Sequence, residues 1–162
     1  MTAVTATPPS EGRALLICSS GGHLAQLVAL RPWYAGRPRT WVTFDTPHAR
    51  SLLAGEETVW AYHPTTRNIP NLLRNTGLAV RRLLPRRTRP AVLVSTGAGV
   101  ALPFFVLGRL LGVPTVYIEV YDRIDMPTLT ARLCRPFTSL FLVQWPEQRE
   151  MYPEAVVVGH LL

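Results

Sequence analysis

Seven short apolar runs alternate along the chain with stretches of helical pattern, and this alternation limits the fold to few alternatives. We predict strands over residues 14–18, 40–44, 57–62, 91–95, 114–119, 139–143 and 155–158. We predict helices near residues 23–34, 46–54, 70–84, 99–111 and 127–136. Strands that alternate with helices form parallel sheets, because each right-handed crossover returns the chain to the same edge. The pattern therefore predicts a Rossmann-like α/β fold, with a mainly parallel sheet and helices on both faces.

The length of 162 residues is typical of one domain with its own core. We predict that this domain spans residues 14–162. Residues 1–13 are small, polar and Pro-containing, and are predicted to form a flexible leader without the pattern of a secretion signal. Cys18 and Cys134 lie far apart in apolar runs, which predicts buried, reduced thiols. No residues have metal-ligand spacing, so no metal site is predicted.

Residues 90–108 carry no charged side chain and are nearly long enough to cross a bilayer. The segment STGAG and Pro103 interrupt this run, and Arg109 follows it directly. A strand, a glycine-rich turn and a buried helix therefore explain the run better than a membrane span.

The segment SSGGH, residues 19–23, joins the first predicted strand to the first predicted helix. Glycines let the backbone approach a ligand closely, and the amides of a first helical turn point outward toward anions. The candidate substrate-binding residues of this turn are Ser19, Ser20, Gly21 and Gly22. A tight turn that is capped by Ser19 or Ser20 is the structural alternative.

His23 opens the first predicted helix and is a candidate catalytic residue. A neutral histidine beside phosphate or hydroxyl groups can act as a general base, or it can donate a hydrogen bond that only orients the substrate. A histidine with a purely structural role is the third interpretation.

The dinucleotide motif G-x-G-x-x-G is not met, although Asp45 ends the second predicted strand, where a ribose-binding acid would stand. A stand-alone dinucleotide-binding enzyme therefore stays open as an alternative.

A second loop of the same kind, VSTGAGV, covers residues 94–100 after the fourth predicted strand. It offers Thr96, Gly97 and Gly99 as candidate substrate-binding residues. Because ligands bind where parallel strands end, two such loops at one sheet edge predict a cleft for a polar ligand.

The loop after the fifth predicted strand adds a carboxylate, a guanidinium group and hydroxyls to that edge. We take Glu119 as a second candidate catalytic residue, and Arg123 and Thr128 as candidate substrate-binding residues, with Thr130 nearby. The carboxylate and hydroxyls can bind sugar hydroxyls, and the arginine can face a phosphate. A Glu119–Arg123 ion pair that holds the loop closed is the structural alternative.

The net charge of +7 comes from 17 arginines, no lysine and ten acidic residues. No acidic residue occurs between Glu57 and Glu119, so the excess charge is local. Within residues 68–87 one predicted helical face is apolar, and it comprises Leu72, Leu73, Thr76, Ala79, Val80, Leu83 and Leu84. Such a face normally packs on a core.

The arginines of this region favour contact with an anionic membrane surface instead. The predicted membrane-contact residues are Arg74, Arg81, Arg82, Arg86 and Arg87. No nucleic-acid partner is predicted, because aromatic side chains that could stack on bases are absent from His63 to Val100.

Several segments occur together in the order known from one protein family: SSGGHLAQL, PTTRNIPNLLRN, STGAGVALPFF, GVPTVYIEVYDRIDMPTLTARL, LFLVQWPE and VVVGHLL. They resemble the Alg/PssD/CpsF-type subunits of two-component GT-B glycosyltransferases, over residues 14–162. A more distant resemblance links SSGGH and GVPTVYIE to the amino-terminal half of MurG. Ser139 stands where members often have Asp.

The resemblance implies the amino-terminal half of a GT-B fold, which supplies the acceptor side and the membrane contact. A partner chain would bind the UDP-sugar donor, and no further cofactor is expected. The acceptor would be a polyprenyl-diphosphate-linked sugar, at the cytoplasmic face of a membrane, in capsule or exopolysaccharide synthesis. The turns that contain His23 and Gly97 would line the interdomain cleft, with Glu119 and Arg123 near the acceptor. Such a chain should be inactive alone. A non-catalytic membrane scaffold that recruits and activates a catalytic partner is the alternative.

Overall fold

The computed structural model describes residues 11–124 and 126–161, whose seven strands form one parallel sheet. The strands are β1 (Ala14–Ile17), β2 (Arg39–Phe44), β3 (Thr58–Ala61), β4 (Val92–Ser95), β5 (Thr115–Ile118), β6 (Leu140–Val143) and β7 (Val156–Val157). Their order in the sheet is β3-β2-β1-β4-β5-β6-β7. The predicted Rossmann-like sheet is therefore confirmed, and the bounds of each predicted strand agree within one residue.

The strands β1, β4 and β5 are buried along their whole length and mainly apolar because both faces of the sheet are covered. All four residues of β1 are buried, and alternate residues face opposite sides. Leu15 and Ile17 belong to one core cluster, and Leu16 belongs to the other. In the parallel register Leu16 pairs with Trp41 of β2 and with Val94 of β4.

The helices lie in two layers. They are α1 (Gly22–Ala29), α2 (Arg31–Tyr34), α3 (Pro47–Leu52), α4 (Ile69–Leu83), α5 (Ala101–Leu110) and α6 (Leu129–Cys134), with short 3₁₀ helices at Arg135–Phe137 and Pro146–Glu150. Residues of α4, α5 and α6 pack in the cluster of Leu15, and residues of α1, α2 and α3 pack in the cluster of Leu16.

The predicted helix over residues 23–34 is divided into α1 and α2. Leu30 ends α1, and Pro32 stands in the first turn of α2. Proline has no amide hydrogen and its ring clashes with the carbonyl of the preceding turn, so one continuous helix could not pass through this position.

The uncharged run at residues 90–108 contains β4, a turn and most of α5, as predicted. Phe104 and Phe105 of α5 are fully buried in the core. Within the two described ranges, none of the helices combines the length and the apolar character that a bilayer crossing requires.

Cys18 and Cys134 are both buried and free, as predicted, and burial raises the pKa of each thiol to about 12. Residues 1–10 of the predicted leader lie outside the described residues. Its last residue is packed on the sheet, because Arg13 donates hydrogen bonds to Thr40 and Glu57. Arg13 is therefore in contact with the folded domain.

The inner face of α4 differs from the predicted one. Its buried residues are Asn71, Asn75, Ala79 and Leu83. The predicted apolar face is therefore correct only in Ala79 and Leu83, while Leu72, Leu73, Val80 and Leu84 are exposed. The helix is rotated relative to the prediction, because two asparagines on the inner face have specific backbone partners.

The strand order places the topological switch point between β1 and β4, where neighbouring connections leave in opposite directions along the sheet. Ligands of open parallel sheets bind at this point, beyond the carboxyl ends of the strands. The predicted site loops follow β1, β4 and β5, so all three lie at this one edge.

Candidate functional site

Two reciprocal hydrogen bonds join the loop after β1 to the loop after β4. Nδ1 of His23 lies 2.6 Å from the carbonyl oxygen of Thr96, and the Thr96 hydroxyl donates to the His23 carbonyl oxygen at 2.7 Å. A carbonyl oxygen only accepts, so Nδ1 carries the hydrogen. In the neutral ring Nε2 then keeps its lone pair, which is what a general base requires.

The turn before α1 has the backbone of a glycine loop. Gly21 adopts φ 75° and ψ −135°, a conformation that L side chains rarely reach, and α1 begins at the next residue. No side chain among the described residues caps α1, and the Ser19 hydroxyl donates to the Ser20 carbonyl instead. The serine-capped turn is therefore wrong, and no side chain of residues 11–124 or 126–161 accepts from the first amides of α1.

The turn after β4 also depends on glycine. Gly97 adopts φ 108°, and its amide donates to the Ser95 hydroxyl at 2.9 Å. The following residue, Ala98, has φ 76°, which is strained for a residue with a side chain. Gly99 lies so close to Thr65 that an added Cβ would come within 3.0 Å of the threonine side chain.

A cavity of about 520 Å³ opens between these loops. It is lined by Ser19, His23, Phe44, His63, Pro64, Thr65, Thr66, Ala98, Gly99, Arg123, Thr128 and Thr130. Five of the predicted site residues are thus brought together, namely Ser19, His23, Gly99, Arg123 and Thr128. The other predicted residues of the two turns, Ser20, Gly21, Gly22, Thr96 and Gly97, stand beside the cavity without lining it.

The lining of the cavity is cationic and polar. Arg123 is exposed and forms no ion pair with a described acidic residue. Two histidines and five side-chain hydroxyls complete the polar lining, and none of the lining residues that the structure describes is acidic. This composition suits an anionic ligand that also carries hydroxyl groups.

Glu119 lies behind the cavity and not on its surface. None of its surface is exposed, and Oε2 accepts from the Tyr152 hydroxyl at 2.6 Å while Oε1 accepts from the Val120 amide at 3.1 Å. The Thr128 hydroxyl donates weakly to both oxygens, at 3.4 and 3.5 Å. Burial raises the pKa of Glu119 above its ordinary value, and the Tyr152 hydrogen bond opposes this.

This placement corrects two expectations. Glu119 supports the cavity residue Thr128, and its carboxylate does not reach the cavity as a catalytic group would. The predicted Glu119–Arg123 ion pair is not formed, because the carboxylate is occupied by Tyr152, Val120 and Thr128.

One wall of the cavity was not predicted. Phe44 ends β2, and residues 63–66 connect β3 to α4. The segment HPTTRN does follow a predicted strand and therefore had to lie at the same sheet edge, which is the signal that could have identified it.

Asp45, the residue that favoured the dinucleotide-binding hypothesis, is already bound to another side chain. Asp45 forms a two-point ion pair with Arg50, through Nε at 2.5 Å and Nη2 at 2.6 Å. The Arg50 hydrogen bond lowers the pKa of Asp45. In the described part of the chain, no three His, Cys, Asp or Glu side chains converge as metal ligands.

The outer face of α4 is apolar and does not pack on the core. Ile69, Leu73 and Leu84 are 70%, 67% and 57% exposed, and they lie on one side of the helix with Val80. The predicted membrane-contact residues Arg74, Arg81, Arg82, Arg86 and Arg87 are all exposed, on other sides of α4 or directly after it. Arg89 has a different role, since it donates to the Leu83 and Leu84 carbonyls and caps the helix.

The sequence matches a known family over most of this region. The profile of the family described as "Oligosaccharide biosynthesis protein Alg14 like" matches residues 62–161. The chain is also 25% identical over 186 residues to the UDP-N-acetylglucosamine transferase subunit ALG14 of Mus musculus. That alignment covers 96% of this chain and 86% of the mouse protein.

Solved structures share the fold at low sequence identity. MurG of Acinetobacter baumannii superposes with a TM-score of 0.65 and 17% identity, over 83% of this chain and 41% of that one. The UDP-GlcNAc 2-epimerase of Methanocaldococcus jannaschii gives a TM-score of 0.68 and 14% identity, over 91% of this chain and 45% of that one. This chain therefore spans less than half of either solved chain.

Proposed function

Because the chain belongs to the family of Alg14-like oligosaccharide biosynthesis proteins, we propose that it is a subunit of a two-component glycosyltransferase. A relative that aligns along nearly the whole chain is named as a UDP-N-acetylglucosamine transferase subunit. In this proposal the chain supplies the acceptor side of the site, and a partner polypeptide supplies the domain that binds the UDP-sugar. The likeness to about two fifths of the MurG chain supports this division of the work.

The observation that carries the proposal is the cavity between the two glycine turns. Among the described residues its lining has an arginine, two histidines and several hydroxyls, and no acidic side chain. A polyprenyl-diphosphate-linked sugar combines a dianionic group with hydroxyls, and this is the ligand class that such a lining suits.

The proposed reaction is the transfer of a sugar from UDP to an acceptor hydroxyl. The hydroxyl oxygen forms the new bond to the anomeric carbon, the bond from that carbon to UDP breaks, and UDP leaves with the electron pair. His23 Nε2 accepts the hydroxyl proton, since Nδ1 is committed to the Thr96 carbonyl. Arg123 pairs with the acceptor diphosphate. We assign no metal to this step.

The proposal places the protein at the cytoplasmic face of a membrane, in polysaccharide assembly such as capsule or exopolysaccharide synthesis. The outer face of α4 supports a peripheral attachment, because it combines exposed apolar side chains with arginines. The same face supports the second candidate function, a membrane scaffold whose partner carries all of the chemistry.

The test is co-purification with the UDP-sugar-binding partner, followed by transfer assays across UDP-sugars on polyprenyl-diphosphate acceptors. We expect transfer by the complex and none by either chain alone. Transfer by the isolated chain would contradict the two-component proposal. Full transfer by a complex that carries His23→Ala would favour the scaffold.

A further inference from the structure

The inner face of α4 carries two asparagines whose side chains bind backbone groups outside the helix. Asn71 is 6% exposed and Asn75 is 1% exposed, among apolar neighbours such as Ala79 and Leu83. A buried amide is costly unless it is hydrogen-bonded, so the partners of these two side chains reveal their purpose.

Both asparagines bind the backbone that follows β3. Oδ1 of Asn75 accepts from the Tyr62 amide at 2.9 Å, and its Nδ2 donates to the Tyr62 carbonyl at 2.9 Å. Nδ2 of Asn71 donates to the Pro64 carbonyl at 2.9 Å. A leucine at either position would fill the same core but would leave these backbone groups without partners.

The backbone that they hold forms one side of the cavity. We name residues 63–66 the β3–α4 wall. The His63 ring packs on Phe44 with 5.1 Å between ring centroids, and Thr65 packs against Gly99 of the second glycine turn. The β3–α4 wall is thus held by α4 through Asn71 and contacts Phe44 and Gly99 on the cavity side.

The polar side chains of this wall have no hydrogen-bond partner within residues 11–124 and 126–161. His63, Thr65 and Thr66 all line the cavity, and their imidazole and hydroxyl groups are therefore available to a ligand. Arg123 and Thr130 line the same cavity from the loop and helix that follow β5.

We propose that the β3–α4 wall is a binding subsite for diphosphate oxygens, and that Asn71 and Asn75 are the positioning residues that hold it. The inference rests on the proposed function and deepens it, because it assigns the acceptor diphosphate to His63, Thr65 and Thr66 opposite Arg123. Imidazole and hydroxyl donors are suited to phosphate oxygens, and a fixed wall loses little entropy when it binds them.

The experiment follows the side-chain NMR signals of His23 and His63 in the folded chain during titration. Inorganic pyrophosphate tests the shared chemistry, farnesyl diphosphate represents the lipid acceptor, and UDP represents the donor. We expect pyrophosphate and farnesyl diphosphate to shift both histidines. A His63 signal that responds to UDP more strongly than to farnesyl diphosphate would overturn the assignment to the acceptor.

The positioning role is tested with Asn75→Leu and with the isosteric Asn75→Asp, which keeps the acceptor for the Tyr62 amide. We expect either variant to lose the His63 response, to keep the His23 response, and to bind pyrophosphate about tenfold more weakly. Amide hydrogen exchange should also become faster over residues 62–66. Ala79→Gly is the matched control, since it weakens the same helix face without touching the wall.

The outcomes separate the two claims. A wild-type chain in which neither histidine responds to any diphosphate contradicts the proposed function. A wild-type His23 response without a His63 response overturns the subsite alone. An unchanged His63 response and unchanged exchange in both Asn75 variants overturns the positioning role, as does an equal loss in Ala79→Gly.

Discussion

The Tyr117 hydroxyl lies directly against the backbone of Gly97, so that a Cβ built at position 97 would come within 2.8 Å of the hydroxyl oxygen. The same Cβ would lie 3.3 Å from Cε1 of His23. Only a residue without a side chain lets the turn after β4 approach both groups, and the position of His23 therefore depends on this glycine.

Gly97→Ala should both destabilise the protein and displace His23. The φ of 108° is unfavourable for alanine and the new methyl group meets Tyr117, so we expect the free energy of unfolding to fall by about 1–3 kcal/mol. Transfer by the complex should fall at least about tenfold. Urea denaturation and transfer assays check both values. Gly77→Ala is the control. Gly77 lies in helix α4, and a Cβ at this position would have no described atom within 4 Å, so we expect alanine to raise the free energy of unfolding by roughly 0.5–1 kcal/mol.

Glu119→Gln should change how stability depends on pH. Burial raises the pKa of Glu119, so the folded state binds this proton more tightly than the unfolded chain. Ionisation of Glu119 therefore destabilises the fold as pH rises above the ordinary glutamate value of 4.5. The free energy of unfolding of the variant, relative to wild type, should rise with pH through the mildly acidic range and then level off above the raised pKa.

Denaturation at a series of pH values measures this difference. Glu154→Gln is a control at an exposed carboxylate that pairs with Arg135. A difference between Glu119→Gln and wild type that stays constant from about pH 4 to pH 7 would contradict a raised pKa for the buried Glu119 carboxyl.

Arg81→Ser combined with Arg82→Ser should weaken binding to anionic vesicles. Both arginines are exposed in the last turn of α4, where Arg81 flanks the apolar outer face, and each arginine near an anionic surface contributes about 1 kcal/mol. We expect the double variant to bind phosphatidylserine vesicles with about thirtyfold lower affinity, as measured by co-sedimentation. Arg31→Ser with Arg109→Ser removes the same charge elsewhere and should have little effect. Equal losses in the two pairs would show a general charge effect and no specific docking face.

Gln148→Leu should weaken acceptor binding through Arg123. The buried side-chain amide of Gln148 donates through Nε2 to the Val120 and Arg123 carbonyls at 2.9 and 3.0 Å. Its Oε1 accepts from the backbone amide of Gln144 at 2.8 Å. Loss of these hydrogen bonds makes the loop after β5 more mobile, and this loop positions Arg123 in the cavity lining. We expect the acceptor KM to rise about tenfold, with no further rise when Arg123→Ala is added. Effects that simply add in the double variant would contradict a role exerted through Arg123.

Much of the fold follows from local sequence. β1, β4 and β5 are mainly apolar runs between polar turns, and parallel strands bring the following turns to one edge. The order of these elements is therefore enough to place His23 and Arg123 in one cleft. The division between α1 and α2 is also readable in principle, because Pro32 is incompatible with a continuous helix.

The remaining features depend on contacts between distant parts of the chain. The burial of Glu119 depends on Tyr152, which lies 33 residues later in the sequence. The rotation of α4 depends on the binding of Asn75 to Tyr62. Helical periodicity assigns apolar residues to the inner face and therefore predicts asparagines on the outer face. The place of HPTTRN after a predicted strand was enough to put the β3–α4 wall at the site edge, but its close approach to Gly99 through Thr65 is a contact that only the folded chain forms.

The most direct test of the proposed catalytic subunit is the turnover of the purified complex that carries His23→Ala. The measurement is transfer to a polyprenyl-diphosphate-linked acceptor from the UDP-sugar that the wild-type complex uses, with partner binding checked by gel filtration. We predict an intact complex and a kcat that is lower by roughly 10²–10⁴-fold, because Nε2 no longer accepts the acceptor proton. An intact complex with unchanged kcat would contradict the account.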